Sequence, residues 1–567
     1  MASQAKAPQD SLEPGAPLFI FPEPPSPGLC EWPGTPIGLS NTITRTKGRT
    51  AVHNKTIDST PGLLEKLLQS AEEHIKRIEG KQPVFEHDVI IHGVRVRATT
   101  NSLHLHDFWV DNWYGVNEWQ RLTGQTPSSQ PRVKVYAFYG VENEPEAAYY
   151  SYRASTIIFF NTSYYGQLKS WVLGAVGRIL AGEYGIHSIH GACVEKAGKG
   201  VLYIAPTGTG KSTSSYGLVT WPNTRFHSDD WVYVRYAYAT RDAQRVLVLD
   251  GEGSDGSMAR GYKVYRWIER HADDPAARLS AMTLTNEQLE LRLGDLDLTQ
   301  PPAAYAYTSE KVFYLRTNLV ENFPLAALEI MRSKEENVPD VSVAFLERYG
   351  ATIDSILADL KGAHGNGADR LDGTSDLELR QVAGRLIAFD NARSMLDISK
   401  VLPADRVFTN PMQPVRLAAV MLLKRDAGDP TVLNHVLLEP FMERLLVGET
   451  PDKKRETAYN AYRSVDDRAE RAFIESLEKQ TSPSRSLYSL FTEALNVPPS
   501  LEEEFELFRV MYNAARTYDL NTILQRDPRI RDKREAVEQT LAIIARTVER
   551  EPHPIRLTLD NYRDFLR

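Results

Sequence analysis

The stretch GVLYIAPTGTGKSTSSYGLV, at residues 200–219, decides the fold of this 567-residue chain. It starts with an apolar run, VLYI at 201–204, and continues into a loop rich in Gly and Thr that ends at Lys211-Ser212-Thr213. This order predicts a strand, a phosphate-binding loop and the start of a helix, because loop amides and the positive end of a helix dipole attract phosphate groups. The loop departs from the G-x-x-x-x-G-K-[ST] pattern at its first position, which is Ala205.

The loop supplies the residues expected to bind a nucleotide. The Lys211 ammonium is expected to reach the outer phosphates, and the Ser212 hydroxyl is the first choice of ligand for Mg²⁺, with Thr213 beside it. These features predict ATP and Mg²⁺ as cofactors. The expected nucleotide-binding residues are Pro206, Thr207, Gly208, Thr209, Gly210, Lys211, Ser212 and Thr213.

Two adjacent carboxylates, Asp229 and Asp230, follow the loop at the end of a short predicted strand. Phosphoryl transfer needs a metal ligand and a base that accepts the proton of the incoming nucleophile. Adjacent carboxylates can divide these two roles, since one can hold Mg²⁺ while the other takes the proton. The residues alone leave open which carboxylate takes which role.

The window from 189 to 230 resembles the HPr kinase and phosphoenolpyruvate carboxykinase superfamily. The resembling text is IHGACVE at 189–195, GKGVL at 198–202, the loop, and HSDD at 227–230. The resemblance implies an α/β fold, α+β over the whole chain, built around a P-loop nucleotide-binding domain of this type. It also implies that Asp229 is the base and that Asp230 is the metal ligand.

The resemblance further implies roles for a histidine and an arginine. In carboxykinases the position of His190 resembles a ligand of a second metal ion, which allows Mn²⁺, whereas in HPr kinases it lies near the phosphates; a hydrogen-bonded core histidine is the other interpretation. Arg316, in LRTN at 315–318, is expected to neutralise charge on the transferred phosphate. The competitors for that role are Arg260, Lys263, Arg393 and Arg416.

The expected activity is that of an ATP-dependent kinase that transfers the γ-phosphate to a hydroxyl of an unidentified small molecule or protein. Two sequence features favour this expectation: the loop contains GKS rather than GKT, and the Asp229-Asp230 pair is followed by WVYV at 231–234. One alternative is a carboxykinase-like lyase that uses oxaloacetate and ATP. Another is a non-catalytic ATP-binding regulator, which the long C-terminal extension and the Pro-rich N-terminus favour.

Composition narrows the partners and the compartment. The net charge of -8 and the pI near 6.0 argue against nucleic acid as the main partner, because phosphate backbones select basic faces. The two cysteines are too few for a disulfide framework, which favours a cytoplasmic protein, and Cys193 is expected to be a small buried strand residue. No apolar run approaches a membrane span, and the first residues lack the pattern of a secretory signal.

The chain divides into four expected parts. Residues 1–58 form a Pro-rich tail that is disordered or extended, and residues 59–165 form a small α+β domain. Residues 166–430 form the nucleotide-binding domain, and residues 431–567 form an all-α domain that could mediate homo-oligomerisation. The run HLHD at 104–107 is expected to lie on a solvated strand face rather than to bind metal.

Overall fold

The computed structural model is a mixed α/β protein whose helices pack on two large β-sheets. Its backbone is described for residues 31–32, 35–36, 42–44, 54–161, 165–205, 221–248, 264–283, 288–315, 343–351, 353–354, 357–358, 375–388, 393–397, 404–448, 468–550 and 554–567. No helix in these ranges combines the length and the apolarity needed to cross a bilayer.

The described ranges contain thirteen α-helices, which we number in chain order. They are α1 (Leu63–Ile78), α2 (Leu103–Asn112), α3 (Val116–Thr123), α4 (Tyr165–Tyr184), α5 (Val264–Arg270), α6 (Val343–Arg348), α7 (Asp376–Ala388), α8 (Leu438–Val447), α9 (Arg468–Glu478), α10 (Leu487–Glu493), α11 (Pro499–Ala514), α12 (Lys533–Glu549) and α13 (Tyr562–Leu566).

The same ranges contain twenty-four β-strands. They are β1 (Glu31–Trp32), β2 (Thr35–Pro36), β3 (Thr42–Thr44), β4 (Asn54–Thr56), β5 (Phe85–Ile91), β6 (Val94–Thr100), β7 (Tyr114–Gly115), β8 (Val133–Phe138), β9 (Ala147–Ser151), β10 (Thr156–Phe160), β11 (His187–Lys196), β12 (Lys199–Ile204), β13 (Thr224–Ser228), β14 (Trp231–Ala239), β15 (Arg245–Val248), β16 (Arg278–Thr283), β17 (Gln288–Arg292), β18 (Ala303–Thr308), β19 (Val312–Leu315), β20 (Arg393–Asp397), β21 (Val415–Lys424), β22 (Thr431–His435), β23 (Arg516–Asn521) and β24 (Arg556–Thr558).

The first large sheet has seven strands in the order β4-β9-β10-β8-β6-β5-β7. One face packs on α1, where Leu67 and Ala71 are buried against Phe138 and Ile158. This contact confirms the helix that the apolar spacing from residue 63 predicts. The other face packs on α2 and α4, so that α4 joins this sheet to the second one.

The second sheet, which we call the central sheet, runs in the order β17-β16-β15-β14-β11-β12-β21-β23-β22-β24, and β13 and β18 pair beside this path. Within it β12, β21 and β23 are parallel to one another. Along β12, Val201 and Tyr203 enter the core on one face, while Leu202 and Ile204 enter the core on the other. The continuous apolar run at 201–204 therefore reflects a strand that is buried on both faces.

The expected all-α domain at 431–567 is wrong, because three strands in this region belong to the central sheet. β23 lies between β21 and β22, and β24 pairs with β22. The sequence of β23, RTYDLN, lies between two long helices and alternates polar and apolar residues from Thr517 onward. Its Tyr518 and Leu520 are buried in the core. A single six-residue strand between helical stretches carries too little periodic signal to stand out.

The HLHD run at 104–107 lies on α2 and not on a strand, which corrects the sequence-based expectation. The Ser102 hydroxyl accepts a hydrogen bond from the Leu105 amide at 3.3 Å and caps the helix. Leu105 and Phe108 then enter the core beneath the seven-stranded sheet. The His106 ring stacks on Phe85 with the ring centroids 4.6 Å apart.

Candidate functional site

The carboxylate pair lies at a break in the central sheet. Asp229 and Asp230 form the two-residue connection between β13 and β14, and both of these strands pair with β11. The Gly191 amide of β11 donates to the Asp230 carbonyl at 3.1 Å, and Gly191 is also the partner of Ile204 on β12. Since neighbouring strands are about 4.8 Å apart, Ile204 and Asp230 are separated by roughly 10 Å.

This row of residues brings two sequence features to the same edge of the sheet. Ile204 is the last residue of β12, and Ala205, the last described residue before the loop, follows it directly. The chain therefore enters residues 206–213 about two strand spacings from Asp230. Gly191 makes this close approach possible, because a Cβ at its position would lie 2.8 Å from the Tyr203 carbonyl oxygen.

Asp230 accepts two charge-assisted contacts. The Lys169 ammonium, from α4, donates to Asp230 Oδ2 at 2.9 Å, and His190 Nε2, from β11, lies 3.2 Å from Asp230 Oδ1. The His190 ring lies against Trp231, with the ring centroids 4.9 Å apart. The Lys169 side chain is only 3% exposed, so its charge is compensated inside the protein rather than by water.

Lys169 also binds a second carboxylate. Its ammonium lies 2.7 Å from Oε2 of Glu310, a residue that follows β18 in the chain. With its amide turned so that the nitrogen faces this carboxylate, Asn112 at the end of α2 donates to Glu310 Oε2 at 2.9 Å. Burial raises the pKa of Glu310 to about 7, because it disfavours the charged form more than Lys169 restores it. We call Lys169, His190, Asp230 and Glu310 the site cluster.

A small, partly open cleft adjoins the site cluster. Asp229 is buried at its wall, and the neighbouring His227 places Nδ1 3.1 Å from the Ser228 hydroxyl. Burial lowers the pKa of His227 to about 3, so this imidazole is neutral at pH 7. The cleft is lined by side chains from both sheets, among them Tyr114, His227, Asp229, Asp230, Glu310 and Lys311.

The structure brings together only part of the expected site. His190 contacts Asp230, and Asp229 precedes Asp230 in the chain. The expected nucleotide-binding residues at 206–213, together with Arg316, Arg260 and Lys263, lie outside the described residues, and so does the side chain of Arg393.

Two further residues from the sequence analysis have clear positions. Arg416 lies beside Gly200, at the start of β12. Gly200 is about 13 Å along this strand from Ile204, its last residue. Arg416 is therefore distant from the carboxylate pair. Cys193 is fully buried in β11, and burial raises the pKa of its thiol, as befits the small strand residue that the sequence predicts.

Sequence reasoning missed Lys169 and Glu310. Lys169 is a cation within the apolar helix α4, and Glu310 is a carboxylate directly after the buried strand β18. An ionisable residue in such an apolar context signals a buried charge, but the signal does not reveal its partner. The partners are 141 residues apart in sequence, from 169 to 310, and only the fold joins them.

The donor set near Asp230 is compatible with a metal ion. Carboxylates are the ligands that Mg²⁺ prefers, and the two oxygens of one carboxylate offer about four lone-pair sites, enough for Lys169, His190 and a metal ion together. In the part of the chain that the structure describes, no three or more His, Cys, Asp and Glu side chains gather into a metal site. The other expected ligand, Ser212, lies outside that part.

No protein-family model matches the chain, and no curated protein matches it.

Proposed function

We propose that the chain is an ATP-dependent phosphotransferase similar to HPr kinases, which transfers the γ-phosphate to a hydroxyl of a small molecule or protein. The observation that carries the proposal is the position of the end of β12: Ile204 lies about two strand spacings from Asp230, and the GTGKST sequence at 208–213 follows it in the chain. A phosphate loop and a carboxylate pair at this separation provide the two halves of a phosphoryl-transfer site.

In this proposal the loop binds the nucleotide. Lys211 and the amides of 208–210 hold the phosphates, and the Ser212 hydroxyl and Asp230 hold Mg²⁺. Bound Mg²⁺ would neutralise charge on the β- and γ-phosphates. Arg316 would add a second positive charge near the transferred group.

Asp229 is the proposed base. Its carboxylate lies at the wall of the cleft, next to Asp230, where an acceptor hydroxyl could bind. The neutral His227 and the Ser228 hydroxyl precede it in the chain and line the same cleft.

A carboxykinase-like lyase remains a second candidate because of one contact. His190 Nε2 and Asp230 Oδ1 are 3.2 Å apart, so an imidazole and a carboxylate converge at the same point. That pair of ligands suits a transition-type ion such as Mn²⁺. Conversion of oxaloacetate and ATP to phosphoenolpyruvate with Mn²⁺ would favour this candidate over the kinase.

The test is phosphorus NMR of the purified protein with ATP and Mg²⁺ and a pool of small hydroxyl compounds, and separately with oxaloacetate and Mn²⁺. We expect a new phosphoester signal in the first sample. Lys211→Ala should abolish it, whereas the matched control Lys199→Ala should keep it, because Lys199 binds helix carbonyls at the other end of β12. Phosphoenolpyruvate would support the lyase, and unchanged ATP with broadened lines would support a non-catalytic regulator.

A further inference from the structure

One cation in the site cluster is shared between two carboxylates. The Lys169 ammonium lies 2.9 Å from Asp230 Oδ2 and 2.7 Å from Glu310 Oε2. Its side chain is 3% exposed and that of Glu310 is 6% exposed, so both groups depend on each other for charge compensation. The ammonium thus lies on Asp230 Oδ2, one of the two oxygens that the proposed metal ion could use.

The helix that carries Lys169 is fixed by core packing, and the Lys169 ammonium contacts the carboxylates of Asp230 and Glu310. On α4, the neighbouring Leu168 and Trp171 are buried in the core between the two sheets. The four-carbon side chain of lysine is flexible, so its ammonium group can still move over a short distance. Both carboxylates lie within hydrogen-bond distance of the Lys169 ammonium. A small movement would therefore separate the ammonium from Asp230 and leave it on Glu310 alone.

Neighbouring polar groups hold the Glu310 carboxylate in place. Asn112 donates to Glu310 Oε2 at 2.9 Å, and the Ser309 hydroxyl lies 3.4 Å from Oε1. The next residue, Lys311, is directed elsewhere, since its ammonium donates to Glu118 at 2.9 Å. Glu310 is therefore a fixed second acceptor for Lys169.

We infer that Lys169 is an internal cation that competes with a divalent metal ion for Asp230, and that Glu310 is a positioning residue that draws Lys169 away when the metal binds. The pair sets the metal affinity of the site. This inference rests on the proposed function, in which Asp230 is a metal ligand. The pair would regulate that site by charge, because one ammonium contacts two carboxylates, Asp230 and Glu310.

The test measures Mn²⁺ affinity by electron paramagnetic resonance at pH 8, without nucleotide. Lys169→Met removes the competing charge and keeps the length of the side chain, so the affinity should rise about tenfold. Glu310→Gln leaves Lys169 on Asp230, so the affinity should fall several-fold. Lys311→Met removes a cation from the same cleft that contacts Glu118 instead of Asp230, and we expect a much smaller change.

The opposite signs of the two variants separate competition from structural damage, which would lower the affinity in both. A fall or no change in Lys169→Met would overturn the inference, and so would equal effects of Lys169→Met and Lys311→Met. If Lys169→Met fails to fold, Glu310→Gln still decides, because an unchanged or higher affinity contradicts the inference. Turnover of ATP is measured separately, so either proposal can fail while the other stands.

Discussion

Two clusters of buried and partly buried charge lie at the central sheet, and they are balanced differently. In the C-terminal cluster, which consists of Lys424, Asp429, Arg444 and Asp519, the Lys424 ammonium lies 2.9 Å from each carboxylate and Arg444 donates to Asp519. Two cations therefore face two carboxylates. In the site cluster, Lys169 serves both Asp230 and Glu310, with Asp229 next to them.

The pKa shifts follow this difference. Burial raises the pKa of Asp429, but hydrogen bonds from Lys424 and Thr431 outweigh it, and the pKa lies below its ordinary value. Burial raises the pKa of Glu310 to about 7, because a single shared ammonium does not compensate it. Removal of one partner from the balanced cluster would leave an uncompensated charge, whereas the excess of carboxylates in the site cluster is what the proposed metal site would need.

The largest contrast should appear in activity. Asp230→Asn removes a proposed metal ligand, so ATP turnover should fall by about 10²–10⁴-fold. Asp519→Asn alters the C-terminal cluster and should leave turnover within a few-fold of wild type, since nothing in the proposal involves it. Rates are measured as phosphate or phosphoester formation under saturating ATP. Similar losses in both variants would show that the two clusters do not differ in role.

The second contrast concerns stability. Asp519→Ala leaves Lys424 and Arg444 without their shared carboxylate, and the free energy of unfolding should fall by about 3 kcal/mol. Urea denaturation measures the change. The control is Glu290→Ala, which breaks the exposed pair between Arg278 and Glu290, whose side chains are 76% and 69% exposed. A loss in Asp519→Ala no larger than in this control would mean that the balanced cluster does not stabilise the fold.

A third change acts on the backbone beneath the site. In Gly191→Ala the new Cβ would lie 2.8 Å from the Tyr203 carbonyl oxygen and 3.1 Å from Leu202 Cδ1, so β11 and β12 must separate, at a cost of about 2 kcal/mol. Gly182→Ala on α4 is the control, because the nearest atom there is 4.0 Å away. Thermal unfolding compares the two variants. Equal melting temperatures would contradict the close packing of β11 on β12.

The smallest expected effect is a pH dependence. The pKa of Glu310 in the folded protein, about 7, lies above its ordinary value of 4.5, so the folded protein holds a proton that the unfolded chain releases. This contribution to stability is complete below pH 4.5 and is lost as the pH rises through 7. Glu310→Gln should therefore gain stability relative to wild type by about 1 kcal/mol between pH 6 and pH 8. Urea denaturation at both pH values measures it, and a constant difference would contradict the raised pKa.

Much of the site's framework was predictable because it is local in sequence. The strands around 188–195 and 201–205 appear as β11 and β12, and their apolar text is what a doubly buried strand requires. The contact between His190 and Asp230 spans 40 residues, and the sequence suggested it only through the resemblance of the surrounding motifs.

The remainder depended on distant packing. Lys169 and Glu310 lie on α4 and after β18, and no periodicity connects them. Likewise, β23 enters the central sheet next to β21 after a separation of almost a hundred residues, so its strand character depends on partners rather than on its own text. These are the features for which local propensity carries the least information.

The most direct test of the central claim is Mn²⁺ binding in the presence of a non-hydrolysable ATP analogue, measured by electron paramagnetic resonance on wild type, Asp230→Asn and Asp519→Asn. We expect Asp230→Asn to weaken binding by about tenfold or more, because it removes a charged ligand. Asp519→Asn should bind as wild type does. Equal affinities in all three proteins would contradict the assignment of the metal-nucleotide site to the site cluster.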